Sequence, residues 1–323
     1  MAGRELIKAT LPFTRENLVL SWWHLLSTVA LLAGCVAVGA TSLPWWIRLP
    51  VSILGGMTLC RLFIIYHDHQ HGTILRGSRV ADALMMIVGL LTLSPPSTWN
   101  ASHNHHHKHN GKIRGASIGS FPVMTIQAYA RASRKEKFYY GLSRHWTTFL
   151  FAWVTVFFVA MTLNSLIHKP RQHLDCLVAV IVHLGLWAVL LVFAPLSALA
   201  FCFIIPLAVA GMMGAYLFYA QHNFPGVDLG DQSEWDYVYA AMHSSSFLDT
   251  SRVLHWFTGN IGYHHIHHLN ARIPFYRLPE VMKALPALQS PARTALNPVE
   301  IFRCLRLKLW DPEQRRMVGF NGV

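Results

Sequence analysis

Long apolar runs separated by short polar breaks dominate the pattern of this 323-residue chain. Two runs near the N-terminus, at about 24–43 and 49–66, are separated only by a short turn that carries two tryptophans. Two more runs, at about 174–194 and 197–219, contain no lysine or arginine and are separated near Pro195. Each is close to the ~20 residues that an α-helix needs to cross a bilayer. The pattern predicts an all-α integral membrane protein with about four transmembrane helices in two hairpins.

Composition supports a membrane protein and argues against a soluble or nucleic-acid-binding one. Hydrophobic residues make up 53% of the chain and charged residues 13%, and the mean hydropathy is +0.33, which is too apolar for an ordinary soluble domain. The net charge of +12 comes from basic residues that flank the apolar runs rather than from an aromatic-interleaved basic patch. We therefore expect no nucleic-acid partner, and binding to anionic membrane lipids explains the charge better.

The distribution of basic residues predicts the orientation in the membrane. The polar stretch 108–144 is rich in arginine and lysine, and the positive-inside rule places it in the cytoplasm. With four crossings, both termini lie on that same side. The sequence therefore predicts a protein of the bacterial inner membrane, built as one domain over 1–323, with a cytoplasmic histidine-rich cap formed by 67–146 and 220–323.

Three histidine clusters share one spacing. They are HDHQH at 67–71, HNHHH at 103–107 and HHIHH at 264–268, and in each the histidines recur three or four residues apart. On a helix this spacing places the imidazoles on one face, as metal ligands require. A further histidine lies in the string YAQHNF, at the end of the last apolar run. The candidate metal ligands are His67, His71, His103, His106, His107, His222, His264, His267 and His268.

Nine imidazoles are too many for one tetrahedral zinc ion, but they match two metal ions with four or five ligands each. Imidazole suits iron, zinc, copper and nickel alike, so the spacing alone does not select the metal.

If the clusters share one site, two shorter apolar stretches must begin and end on the same side of the membrane. Stretch 80–93 separates the first two clusters, ends near Pro95 and is shorter than the ~20 residues that a span needs. Three apparent spans separate the second and third clusters, and an odd number of crossings would place those clusters on opposite sides. Lys169 and Arg171 favour a cytoplasmic loop, so 147–163 is predicted to be the re-entrant or interfacial member.

The strings HDHQH, HNHHHKHNG, QHNF and NIGYHHIHHLNARIPFYRLPE resemble the histidine boxes of the integral-membrane fatty acid desaturases. The resemblance is closest to the acyl-lipid, omega-6/delta-12-like branch of bacteria and plants, and it extends from the first span to the C-terminal tail. It implies a single membrane desaturase domain in which the nine histidines hold two iron ions. With dioxygen as co-substrate, such an enzyme removes two hydrogens from adjacent carbons of a fatty acyl chain and leaves a cis double bond. Asp68 follows the first box histidine as in the family, where a carboxylate can orient a ligand imidazole.

The resemblance also implies partners. The substrate is a fatty acyl chain linked to a lipid, to coenzyme A or to a carrier protein, and a tunnel among membrane helices would take it from the bilayer. The five cysteines do not have ferredoxin spacing, and the chain carries no motif like the haem site of cytochrome b5. A separate electron donor, such as ferredoxin or cytochrome b5, is therefore expected, together with membrane lipids.

Several other residues have two interpretations each. Arg61, inside the second apolar run, either snorkels towards the interface from the last turns or makes a contact near the metal site. Trp99 either lines the acyl tunnel or, as we favour, anchors the chain at the membrane interface. The stretch IFRCLRLKLW, after a helix start at Asn297 and Pro298, is predicted to be a helix, either lying on the membrane surface or in a plain tail. The other histidines are expected to point off the shared face or to serve in packing, with His109 and His265 the candidates for outer partners of the ligands: His24, His69, His105, His109, His145, His168, His173, His183, His243, His255 and His265.

Three alternative functions remain open from the sequence. The same metal chemistry is used by a di-iron fatty acyl hydroxylase, an acetylenase or a carotenoid oxygenase. A metal transporter is an alternative from a different class, although it would require polar residues within its spans, and the last two apolar runs contain few. An inactive regulator is disfavoured because every box position is present.

Overall fold

The computed structural model of the protein describes residues 3–115, 118–231 and 235–322 and is mainly helical. The α-helices are, in chain order, α1 (Gly3–Thr10), α2 (Leu18–Gly39), α3 (Trp45–Gln70), α4 (Arg79–Leu91), α5 (Pro96–His109), α6 (Ile126–Arg131), α7 (Arg134–Ser143), α8 (Trp146–Leu150), α9 (Asn164–His168), α10 (Leu174–Phe193), α11 (Leu196–Leu199), α12 (Ile205–Ala220), α13 (Tyr237–His243), α14 (Arg252–Phe257), α15 (His264–Leu269), α16 (Leu278–Ala284) and α17 (Pro298–Arg306). The strands are β1 (Met124–Thr125), β2 (Phe247–Asp249), β3 (Arg293–Ala295), β4 (Leu309–Asp311) and β5 (Arg316–Val318). Two further segments are π-helical, Trp153–Leu163 and Ala200–Ile204.

Within the described residues, four helices are long and apolar enough to cross a membrane, as predicted. The last of them consists of α11, a π-helical segment and α12 in continuous succession. Their bounds are Leu18–Gly39, Trp45–Gln70, Leu174–Phe193 and Leu196–Ala220. The first helix begins six residues before the apolar run because the side chain of Asn17 accepts a hydrogen bond from the backbone N–H of Leu20 and caps it.

Helices α2 and α3 pack against each other in antiparallel fashion. Near the start of α3, Arg48 donates hydrogen bonds of 3.0 and 2.6 Å to the carbonyl of Gly39 at the end of α2. Further along α3, Arg61 donates from Nε to Thr28 Oγ1 at 3.1 Å. The start of α3 thus contacts the end of α2, and a later residue of α3 contacts an earlier residue of α2. The two helices therefore run in opposite directions.

The snorkelling interpretation of Arg61 is wrong. The side chain is 2% exposed and lies inside the protein, so it does not snorkel. It donates to Thr28 and to the carbonyl of Trp256, lies 3.0 Å from His24 Nδ1 and stacks over the Trp256 ring. Arg61 therefore connects the spanning helices to α14, and its hydrogen bonds go to neutral groups rather than to the box histidines.

Helix α3 is the central span. Of its most apolar 18-residue window, 61% is buried within the protein, against 22% for α2 and 28% for Leu196–Ala220. Ser52 donates to the carbonyl of Phe201 at 2.7 Å. One turn later Gly56 allows the close approach of the last span, because a Cβ there would lie 2.5 Å from Val209 Cβ and 2.8 Å from the Pro206 carbonyl oxygen.

The short apolar stretch around 80–93 forms half of a sharply bent pair. Helices α4 and α5 meet at 86°, and the break follows from Pro95 and Pro96, because a proline has no N–H and disfavours helical backbone in the preceding residue. Tyr66 of α3 donates to the carbonyl of Ser94 at 2.7 Å and holds this corner against the central helix.

The other short apolar stretch is a π-helix continued by α9, and together they span Trp153–His168. It packs against α12 at Gly211, where a Cβ would lie 2.8 Å from the Trp153 backbone nitrogen. Thr162 donates to the carbonyl of Leu93 at 2.8 Å and joins this segment to the α4–α5 corner.

Short strands, which the sequence did not predict, close the histidine-rich side. Strand β1 pairs in parallel with β4, and β4 pairs antiparallel with β5, with Trp310 opposite Met317. Strands β2 and β3 form a separate parallel pair, with Leu248 opposite Thr294. The predicted helix over IFRCLRLKLW starts at its Asn297 cap, but it ends at Arg306. The rest is strand β4, since Leu309 and Trp310 are buried by pairing.

Replacing Gly56 with alanine should destabilise the bundle by about 1–3 kcal/mol, because the added methyl group overpacks the contact between α3 and the last span. The measurement is the apparent Tm of the purified protein in detergent. Gly34→Ala in α2 is the matched control, since a Cβ at Gly34 meets nothing within 4 Å. Equal Tm values for the two variants would contradict the close packing at Gly56.

Candidate metal centre

The structure brings all nine candidate histidines together in two adjoining groups. Within each group, one nitrogen of every ring lies within 4.8 Å of the corresponding nitrogens of the others. The first group contains His67, His71, His103, His107 and His267. The second group contains His106, His222, His264 and His268.

In the first group the Nε2 atoms converge on one point. The Nε2 of His103 lies 2.9 Å from that of His67, 3.1 Å from that of His71 and 3.1 Å from that of His107. The Nε2 of His267 lies 3.1 Å from that of His107. Five rings from α3, its C-terminal end, α5 and α15 therefore present the same atom to a common centre.

The second group repeats this convergence. His106 Nε2 lies 3.1 Å from that of His222 and 3.2 Å from that of His268. His264 Nε2 lies 2.8 Å from that of His222 and 3.1 Å from that of His268. The two groups touch, because the rings of His107 and His268 stack with centroids 4.4 Å apart.

Helical spacing explains how two helices supply both groups. On α5, His103 and His107 are one turn apart and join the first group, whereas His106 points to the second. On α15, His264 and His268 are one turn apart in the second group, and His267 turns to the first. Helices α5 and α15 thus contribute to both centres, and α3 and the turn after α12 each complete one.

The contact between the clusters also requires an even number of membrane crossings between them. His67 and His103 meet although α4 lies between them, so the chain from one to the other returns to its starting side of a membrane. His106 and His222 meet although Trp153–His168 and two candidate spans lie between them. The two candidate spans already return the chain to its starting side, so Trp153–His168 need not cross the membrane.

Hydrogen bonds at Nδ1 set the tautomer of the His67 and His222 rings. His67 Nδ1 lies 2.9 Å from a carboxylate oxygen of Asp68, and His222 Nδ1 lies 2.9 Å from the carbonyl oxygen of Ser244. A carbonyl or carboxylate oxygen accepts a proton from Nδ1, which leaves the lone pair of Nε2 directed into the group. The second oxygen of Asp68 accepts from the backbone N–H of Phe275 at 2.7 Å, so one carboxylate joins α3 to the segment after α15.

Burial keeps the imidazoles neutral. Desolvation lowers the pKa of His71 to about 3 and that of His222 to about 4. Desolvation, reinforced by neighbouring histidines, also holds the pKa values of His264, His267 and His268 well below the usual 6.5. Neutral rings with converging lone pairs repel one another at these distances, and a cation at each centre would turn that repulsion into ligation. The donor set fits two metal ions.

Aromatic side chains cover the first group. Trp99 stacks on the His103 ring with centroids 4.7 Å apart and an interplanar angle of 19°, and it is 7% exposed. The favoured interpretation of Trp99 as an interfacial anchor is therefore wrong. Phe218 lies with its ring 4.8 Å from that of His106 and 6.5 Å from that of His103, beside both groups.

His69 and His105 point off the shared face, as predicted, whereas the candidate outer partners His109 and His265 bond to backbone carbonyls. His69 pairs with Asp82 at 3.1 Å, and His105 stacks on His109 at 3.9 Å on the outer face of α5. His265 Nε2 donates to the carbonyl of Leu288 at 3.1 Å and serves the fold rather than the centre. The packing roles expected for other histidines include His183 in α10, which finds the hydrogen-bond partner it needs in the Leu91 carbonyl at 3.1 Å.

A cavity of about 230 Å³ lies beside the second group. Its lining includes His106, His222 and Phe218 of the site, together with polar residues such as Asn110 and Lys112. A ligand with a polar end and an apolar remainder matches this lining.

Three contacts of the site were missed in the sequence, for two different reasons. Phe218 lies one helical turn before His222, so helical spacing would have found it. The Ser244 partner of His222 is a backbone carbonyl, which carries no side-chain signature. The same holds for the Phe275 N–H that binds Asp68.

Comparison with known proteins gives a consistent result. The model of the family described as fatty acid desaturase matches residues 43–298. A fatty acid desaturase of Bacillus subtilis (strain 168) is 29% identical over 99% of this chain and 91% of its own length. An sn-1 oleoyl-lipid 12-desaturase of Picosynechococcus is 23% identical over 81% of this chain and 75% of its own length. An sn-1 acyl-lipid omega-3 desaturase (ferredoxin) of Nostoc is 22% identical over 86% of this chain and 79% of its own length.

Replacing Asp68 with asparagine should lower metal affinity about 10–100-fold, because the His67 ring loses the carboxylate that fixes its orientation. The measurement is metal retained after dialysis against graded chelator. Asp82→Asn is the matched control, since Asp82 also pairs with a histidine, but with His69 outside both groups. Unchanged retention in the Asp68 variant would show that this carboxylate does not support a metal ligand.

Proposed function

The chain belongs to the fatty acid desaturase family and is a membrane oxidoreductase, and from this premise we propose its reaction. It introduces a cis double bond into a fatty acyl chain, using dioxygen and a pair of iron ions. The observation that carries the proposal is the convergence of nine buried imidazoles in two adjoining groups.

The five-histidine and four-histidine groups would each hold one iron ion, with His67, His71, His103, His107 and His267 at one and His106, His222, His264 and His268 at the other. Neutral imidazoles suit iron, and the family selects it among the metals that such donors accept. Bound iron supplies the oxidation, in which dioxygen takes two hydrogens from the acyl chain, two electrons from a donor and two protons from solvent, and leaves as two waters.

The protein's own groups orient and enclose the reacting parts. Asp68 and the Ser244 carbonyl hold the Nδ1 protons of His67 and His222, so those rings keep a fixed direction. Trp99 and Phe218 cover His103 and His106 with apolar surface, which excludes water from that side of the centre. Positioning of one carbon pair by the surrounding apolar wall then decides which bond is oxidised.

A lipid-linked acyl chain is the proposed substrate form. By their names, the Picosynechococcus and Nostoc relatives act on sn-1 acyl-lipid chains, and the Nostoc protein uses ferredoxin. Those names favour a membrane lipid over a coenzyme A ester here, and an iron–sulfur protein over cytochrome b5 as the separate electron donor.

The same reasoning supports the proposed placement in the cell. All nine ligands lie on one side of the bilayer if four helices cross it, and the basic stretch 108–144 favours the cytoplasmic side. We propose one domain over 1–323 in the bacterial inner membrane, with both termini and the cap residues 67–146 and 220–323 in the cytoplasm. Of these, residues 1–2, 116–117, 232–234 and 323 lie outside the described part of the chain.

Expression in a bacterium that lacks polyunsaturated lipids, followed by gas chromatography of its fatty acids, tests the reaction. The wild-type chain should add a double bond, and His107→Ala should reduce that product by more than about 100-fold. Losing a metal ligand should reduce activity more than losing the hydrogen-bond partner of a ligand, which typically lowers metal affinity or activity 10–100-fold.

His109→Ala is the matched control, because His109 lies on the same helix but stacks on His105 away from both groups. It should retain the product. Hydroxylated acids in place of new double bonds would assign the chain to the hydroxylase chemistry instead. Unaltered lipids in the wild type, with protein present and iron bound, would contradict the proposed reaction.

A further inference from the structure

We propose that the cavity beside the second histidine group is an anion-binding subsite, in which Arg144 binds the phosphate of a glycerophospholipid substrate. The inference rests on the proposed function and deepens it, because it gives the charge of the lipid and a residue that recognises it. Three features support it: the charge of the cavity wall, the incomplete hydrogen bonding of Arg144, and the position of Arg144 between the membrane interface and the metal centre.

The wall of this cavity is positively charged. It contains two cationic side chains, Lys112 and Arg144, and no aspartate or glutamate among its described residues. The volume of about 230 Å³ leaves room for several groups of the size of a water molecule. A negatively charged group would therefore meet opposite charge in this cavity, and no described carboxylate of the wall would repel it.

Arg144 is fully buried, and its guanidinium bonds only to neutral oxygens of the described residues. Its Nη1 donates to the carbonyl of Pro122 at 2.7 Å, and its Nη2 donates to the side-chain oxygen of Asn223. Its Nε is buried and has no acceptor among the described residues. A buried charge is costly unless it is paired and fully hydrogen-bonded. The guanidinium therefore lacks one acceptor, and a negatively charged one would complete it best.

Arg61 shows how a buried arginine with a purely structural role is bonded in this protein. Its Nε donates to Thr28, its Nη1 donates to the carbonyl of Trp256, and its Nη2 lies 3.0 Å from His24 Nδ1. All three nitrogens of Arg61 therefore have partners, whereas Arg144 keeps one donor unused.

A second cation lies beside Arg144. Lys308 Nζ donates to the backbone carbonyl of Arg144, and no described carboxylate forms an ion pair with Lys308. Burial and the nearby charge of Arg144 lower the pKa of Lys308 to about 8. Two neighbouring cations without a counter-ion repel each other, and an anion at Arg144 would offset that repulsion.

The position of Arg144 suits the head group of a membrane lipid. The same cavity is lined by Arg144 and by His106 and His222 of the metal centre, so it joins the two. Arg144 lies two residues before Trp146, which begins α8 and is exposed, as tryptophans at a membrane interface are. Guanidinium N–H groups form short, charge-assisted hydrogen bonds to phosphate oxygens. A phosphate at the interface would thus be held by Arg144 while its acyl chain extends towards the centre.

The test is the head-group preference of Arg144→Gln. The full chain, purified in detergent, is equilibrated with equal amounts of dioleoyl phosphatidylglycerol and dioleoylglycerol, and native mass spectrometry counts each bound lipid. The wild type should bind the phospholipid at least about tenfold more than the neutral lipid, the effect of a hydrogen bond to a charged group. Arg144→Gln should abolish this preference. Arg144→Lys, which keeps the charge but loses the planar donor group, should retain part of it.

Arg134→Gln is the matched control, because Arg134 lies on α7 with its side chain exposed. This variant removes the same charge from outside the cavity wall and should keep the wild-type preference. Lys112→Gln decides the matter if Arg144→Gln does not fold, since Lys112 lines the same cavity and makes no hydrogen bond to Arg144. It should also weaken the preference for the phospholipid.

A wild type that binds both lipids equally would overturn the inference, as would a preference that survives in every folded cavity variant. In either case the proposed reaction still stands. Displacement of the phospholipid by inorganic phosphate at equal concentration would assign the subsite to a free anion, and displacement by oleate would assign it to a carboxylate. Either result would overturn the assignment to a phospholipid. Head-group selection by a chain that forms no double bond in cells would refute the proposed reaction instead.

Discussion

The structure depends on nine uncharged imidazoles that turn the same nitrogen inward. Their lone pairs meet at separations near 3 Å, a geometry that is unfavourable for the rings alone and favourable around cations. Four segments far apart in sequence must come together for this to occur: the end of α3, α5, the turn after α12, and α15. The rest of the fold brings those four segments together and shields their imidazoles from water.

The membrane helices meet that need through their end points. Helix α3 is the most buried span and carries the first two ligands at its end, while α12 packs beside it and ends next to His222. Close contact at Gly56 sets these two helices side by side. The third box lies over the end of α3, where Ile266 and Leu269 of α15 belong to the same buried cluster as Ile65 and Tyr66. Packing and ligation therefore support each other.

The helical spans and the ligand set could be predicted because both are periodic in the sequence. Apolar runs near the length of a bilayer indicate spans, and histidines three or four residues apart indicate one helical face. Contacts made by backbone groups or by tertiary pairing could not be read in that way. Strand β4 lies in a segment whose alternation resembled an amphipathic helix, and Trp99 looked like an interfacial residue until the fold placed it on His103. Snorkelling was wrongly predicted as one role of Arg61 for the same reason, since its partners come from α2 and α14.

X-ray absorption at the iron edge of the purified protein would reveal whether the nine imidazoles hold a pair of iron ions. We expect about two irons per chain, each surrounded by nitrogen ligands with the outer scattering pattern of imidazole rings and without sulfur. A single metal ion per chain, or a first shell dominated by carboxylate oxygen or sulfur, would contradict it.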